Sequence, residues 1–206
     1  MNEFVYKFKE QIDSFWDIGE DEKKKILRDV LKYANSNQQK FINEINQVKF
    51  DTDLMALPII SEALSVDTEN WGQFYVDLLN DILQTAKQSS KPNDILNNLK
   101  EFSYIENDSR PFVQKIVDKL YKELDSENLD VKLASIWTLP NYLDNNSIRN
   151  KSSIIDKLRQ QLNDRNWKVR VVAFKSLGFE NLLPNGHKLS LKDILTKLIF
   201  GEPSII

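Results

Sequence analysis

Apolar residues along this chain recur at spacings of three and four, separated by charged and amide residues, a period that predicts helices almost throughout. Phe4, Val5, Phe8, Ile12, Phe15 and Trp16 mark an amphipathic helix over 3–17, which Gly19 is expected to end. Over 21–34 the stripe is Ile26, Leu27, Val30 and Leu31, opened by Glu20, Asp21 and Glu22, whose charges suit the positive end of a helix dipole. Asn35, Ser36 and Asn37 read as a break and a cap before a third helix through Phe41, Ile42, Ile45 and Val48. Residues 53–65 read as helical with a kink or early break at Pro58. Residues 67–88, with Trp71, Phe74, Tyr75, Leu78, Leu79, Ile82 and Leu83, give the longest clean helical pattern. After a short linker-like stretch from Ser89 to Pro92, Ile95, Leu96, Leu99 and Phe102 predict another short helix. Pro111 suits the first turn of a helix running to about Asp125. No segment alternates with period two, so the expectation is an all-α chain.

The pattern also repeats. Sliding the chain on itself by 38 residues aligns IVDKLYKEL at 116–124 with IIDKLRQQL at 154–162, and the register continues through the following turn. Ile116, Asp118, Lys119, Leu120, Leu124, Asn128, Val131 and Leu139 are each identical to the residue 38 positions later. A fixed period of this size is the signature of stacked structural units, each needing a neighbour to cover its apolar face. LLNDILQTA at 78–86 keeps the register of the first helix, but the segment after it, 92–103, is shifted and matches poorly.

The second copy, LRQQLNDRNWKVRVVAFKSLG, resembles the HEAT repeat: Asp164, then Val169-Arg170, Ala173, Leu177 and Gly178 fall at that family's spacing. Val169, Ala173 and Leu177 share one face, and Ala173 is small enough to let two helices approach. Gly178 suits a helix end. The resemblance implies a right-handed α-α superhelix of about five helix pairs, a HEAT-like solenoid in which Asp164 and Arg170 form a structural polar ladder. In the first copy Ser126, Lys132, Ser135 and Pro140 replace Asp164, Arg170, Ala173 and Gly178, so the ladder is not expected to continue through it. On this reading 1–206 is a single solenoid domain. Residues 1–65 are divergent N-terminal helices, 70–105 a degenerate repeat, 110–180 two clear repeats, and 190–200 a capping helix.

Composition narrows the chemistry. The chain has no cysteine, which removes disulfides, thiol nucleophiles and cysteine-based zinc sites. Its single histidine, His187, reads as an exposed loop residue rather than a metal ligand. The acidic groups Glu20/Asp21/Glu22 and Asp51/Asp53 stand at expected helix starts, where capping already favours them. No phosphate loop, nucleophile elbow or zinc-protease helix is present. The expectation is therefore a non-enzymatic protein without metal or cofactor. The start of the chain lacks the basic head and apolar run of a signal peptide, no stretch is long enough to span a bilayer, and a cytoplasmic location is the simplest account.

Net charge is −3 but unevenly spread. Residues 1–109 hold 12 Lys/Arg against 20 Asp/Glu, whereas 110–180 hold 13 against 9. Two functional readings follow from the HEAT-like resemblance, in which second helices line a concave face. The first is a scaffold binding a protein or peptide partner there, through Leu133, Trp137, Trp167 and Val171 with Lys132, Lys168 and Lys175 at the rim. The alternative is nucleic-acid binding of the HEAT-like glycosylase type through the basic 110–180 region, which the acidic total opposes.

Overall fold

The structure is a computed structural model that describes residues 2–48, 56–179 and Lys188 of the 206-residue chain. Among the described residues every element is helical: ten α-helices and four 3-10 stretches, with no strand. The all-α expectation holds. None of these helices is long and apolar enough to cross a membrane. The chain divides into two compact units, Met1–Trp71 and Gly72–Ile206. His187, the Asp51/Asp53 pair and the expected helix at 190–200 lie outside the described residues.

The first unit holds α1 (Glu3–Ser14), α2 (Glu20–Ser36), α3 (Gln38–Ile45), α4 (Ala56–Ser65) and the first turn of α5 (Thr68–Gln88). Caps set the starts: the Asn2 side chain accepts from the Val5 N–H, and Asn37 accepts from the Lys40 N–H. Gly19 stands at the N-cap of α2 in extended backbone instead of closing α1, which tightens into a 3-10 turn over Phe15–Asp17. Pro58 does not break its helix. It is the third described residue of α4, and the helix continues past it to Ser65. Phe4, Phe8, Phe41 and Trp71 are buried, with Phe41 edge-on to both Phe4 and Trp71. The Trp71 indole N–H donates to Asn35 Oδ1 at 2.7 Å, so this buried ring keeps its polar atom satisfied.

The second unit contains the rest of α5, then α6 (Pro92–Leu96), α7 (Pro111–Glu123), α8 (Leu129–Thr138), α9 (Lys151–Gln160) and α10 (Trp167–Phe179). Helices α8 and α10 begin at positions 38 apart, in the register read from the sequence, and equivalent residues cap them. Asn128 Oδ1 accepts from the Val131 N–H, and Asn166 Oδ1 accepts from the Lys168 N–H. α7 packs on α8, α9 on α10, and α8 on α10. Val131, Ser135 and Leu139 are buried, as are Val169, Ala173 and Leu177. Small residues are buried on both helices, Ala134 and Ser135 on α8 and Ala173 and Ser176 on α10, and Ser176 Oγ donates to the Ile136 carbonyl across the contact. Helix α10 runs through Gly178 to Phe179, so Gly178 is not its stop.

Between α6 and α7 the chain winds as a 3-10 helix over Asn97–Ile105, unusually long for that geometry. Its sequence suits the winding. Three residues per turn align positions spaced by three, and Leu96, Leu99, Phe102 and Ile105 at that spacing are all buried. This tighter winding is why 92–103 fell out of register with the α-helical repeats.

Two substitutions probe the packing. A Cβ at Gly72 would lie 2.5 Å from Cδ1 of the buried Phe112 ring, which stacks on Tyr75. Gly72→Ala should therefore destabilise by about 1–3 kcal/mol in urea unfolding, despite the better helix propensity of alanine. The Ser135 hydroxyl is buried without a hydrogen-bond partner. Replacing it with the alanine found 38 residues later should raise stability by about 1 kcal/mol, read from the same unfolding curves.

Candidate functional site

The second unit contains a cleft of about 490 Å³ between the Asn97–Ile105 stretch and the C-terminal end of α8. The 3-10 winding builds one wall. Asn97, Lys100, Ser103 and Glu106, spaced by three, align along the cleft one residue out of phase with the buried stripe. The other wall comes from Trp137 and Thr138 at the end of α8, then Asn141 and Tyr142. Pro140 brings these last two into place. It has no N–H to continue the α-helix, and the chain tightens into a 3-10 turn over Leu139–Tyr142. Leu99 and Phe102 supply buried apolar surface between the walls.

Polarity in the cleft is graded. Asn97, Lys100, Ser103 and Asn141 are exposed, Glu106 and Trp137 are half-buried, and Tyr142 is buried. The Tyr142 hydroxyl has no hydrogen-bond partner. Burial, reinforced by the nearby Glu106 and Tyr75, pushes its pKa far above the ordinary phenol range, so it stays a neutral donor at any physiological pH. Asn145 braces the loop beneath: its side-chain N–H groups donate to the carbonyls of Glu106 and Asp108, and its Oδ1 accepts from Ser147. The end of one cleft wall is thereby tied to the chain that follows the other.

Of the seven residues expected to line a partner-binding face, only Trp137 lies in this cleft. Leu133 and Val171 are buried, at 3% and 0% exposure, and belong to the core. The expectation failed for them because α8 touches α7, α10, α6 and the Asn97–Ile105 stretch, which leaves it more than one covered face. α10 is likewise buried on several sides, through Val169, Val171, Val172 and Ser176. Trp167 and Lys175 are half-buried on α10, and Lys168 is exposed in its first turn. The structure does not gather these three into the cleft. Asn97, Asn141 and Tyr142 were not singled out from sequence; the period-three polar stripe from Asn97 to Glu106 was the available signal for its side of the cleft.

Lys132 is not a rim residue. Its ammonium donates to Asp164 Oδ2 at 2.6 Å, joining the first copy to the second, and both side chains are about four-fifths buried. One ion pair, Lys132–Asp164, therefore joins the two copies, with lysine at the position that holds Arg170 in the second. Arg170 contributes through the backbone, donating to the carbonyls of Asp164 and Arg165. Partial burial works against ionisation of Asp164. It is outweighed by the hydrogen bonds from Lys132 and the Asn166 N–H and by the charges of Lys132 and Arg170, which hold the carboxyl below its ordinary value. A second lysine, Lys157, pairs with Asp125 across the same interval and lies over the Tyr121 ring.

No protein-family model, curated protein or solved structure matches the chain.

The Asp164 pairing has a pH signature. A carboxyl whose pKa is lower in the folded chain stabilises above its unfolded value, here about 3.8, and loses that contribution as pH falls through the folded value. Asp164→Asn should lower stability at pH 7 by about 1.5–3 kcal/mol. The deficit relative to wild type should shrink as the pH is taken below about 3.8, which urea titrations at several pH values would read.

Proposed function

We propose that this chain is a non-enzymatic interaction module, a short HEAT-like α-solenoid that holds a protein partner against the end of its second helices. The observation that carries the reading is the cleft beside Trp137. It combines a half-buried tryptophan, apolar surface from Leu99 and Phe102, and a polar border of Asn97, Lys100 and Asn141. An aromatic anchor in a partly dry centre with a polar rim is the composition of an interaction hot spot. Support for the solenoid part comes from the 38-residue register of α8 and α10, their equivalent asparagine caps and the Lys132–Asp164 rung between copies.

Polyanion binding draws less support. Lys87, Lys132 and Lys157 each pair with a carboxylate, and Lys100 is the sole cation among the cleft residues. Phosphate binding depends on several cations free to release counterions.

The test is affinity capture with the full chain and with Asn141→Arg, which places a long charged side chain at the exposed cleft edge. A surface change of this kind should move stability by less than about 0.5 kcal/mol, so melting temperature serves as the control. Capture of a defined protein by wild type and its loss with Asn141→Arg is the expected result. Equal capture by both, at equal melting temperature, would remove the cleft from the reading.

A further inference from the structure

The side of α8 that meets the second copy is marked by Lys132, whose ammonium donates to Asp164, and by Ile136, whose carbonyl accepts from Ser176. The residues 38 positions later, on α10, are Arg170 and Phe174. They share one side of α10 with Trp167 and Val171, at spacings of three and four. That side is turned away from α8: Val171 and Phe174 point about 140° and 160° from Ser176 around the helix. It is nevertheless covered. Val171 has 0% exposure within the single chain, and Trp167, Arg170 and Phe174 are half-buried.

The sequence holds a third copy of the pattern that precedes each of these helices. Ile116, Asp118, Leu120 and Leu124 precede α8, and Ile154, Asp156, Leu158 and Leu162 precede α10. In both, the apolar residues are buried and the aspartate is exposed. Leu191, Asp193, Leu195 and Ile199 repeat the pattern 37 positions after the second copy. Just beyond them, Glu202 stands 32 positions after Arg170. The same interval separates Lys132 from Asp164 and Asp125 from Lys157, the two ion pairs between the copies.

We propose that residues 191–202, which lie outside the described residues, dock on this outer side of α10 as a third copy docks on the second. The apolar stripe of Leu191, Leu195 and Ile199 covers Val171 and Phe174. Glu202 accepts from the Arg170 guanidinium, as Asp164 accepts from Lys132. Arg170 Nη1 already donates to the carbonyls of Asp164 and Arg165, and a guanidinium carries further N–H groups for a carboxylate. The assignment stands independently of the cleft. It makes Trp167 part of a contact within the chain and removes it from the surface open to a partner.

The test uses the full chain. Nuclear Overhauser contacts from the Val171 methyl groups should reach the methyl groups of Leu195 or Ile199, a measurement that needs no variant and so no assumption about folding. Leu195→Asp should lower the melting temperature and move the Trp167 indole N–H signal, assigned from a Trp167→Phe sample. Lys197→Asp, about 200° away from Leu195 on a helix, should do neither. Glu202→Gln should lower the melting temperature by about 2–4 °C, and should add little to the loss already caused by Arg170→Gln, because the two residues form one pair. Val171 contacts confined to the described residues, equal effects of Leu195→Asp and Lys197→Asp, or additive losses at Arg170 and Glu202 would each overturn the proposal. So would contacts from Val171 that appear only between differently labelled chains, which would make a second copy the cover.

Discussion

The second unit depends on the close approach of α8 and α10. The two helices pack on each other, Ala134, Ser135, Ala173 and Ser176 are buried along them, and Ser176 reaches the Ile136 carbonyl across the gap. Packing at this distance couples several other features. It leaves Val131 and Val169 with no exposed surface to speak of, and it fixes where α8 ends and hence where Trp137 and the Leu139–Tyr142 turn stand. The Lys132–Asp164 pair lies along the same α8-to-second-copy junction. Dispersion and burial set the helix separation there, and the ion pair adds a register preference. A bulky substitution in the small-residue column would disturb the cleft from a distance, by shifting the helix that carries one wall.

Much of this arrangement is written in local pattern. The apolar stripes place the helices, Pro92 and Pro111 occupy first turns, and the paired asparagines at 128 and 166 cap equivalent helices. Periodicity identifies the face that meets a first neighbour, as Val131, Ser135 and Leu139 show. It does not reveal how many further neighbours a helix has. Leu133 and Val171 point away from the first contact and still fall inside, because α8 and α10 are each packed on several sides. Lys132 was hidden for a related reason. As a lysine in an arginine's place it looked like the end of a ladder, but its flexible stem reaches the carboxylate of the next copy. The candidate cleft was legible in one residue, Trp137; the other wall required knowing that the chain winds at three residues per turn.

That winding has a geometric consequence for the cleft. A 3-10 helix turns about 120° per residue and an α-helix about 100°, so over the nine steps from Asn97 to Glu106 the two differ by about half a revolution. In α form, Glu106 would face the opposite side from Asn97, and Leu96 and Ile105 would likewise point apart. The straight polar edge and the straight apolar seam beside it exist only while the segment stays overwound. Residues 97–105 thus work as a torsional element: the sequence spacing stores the choice of winding, and the winding decides whether there is a cleft wall at all.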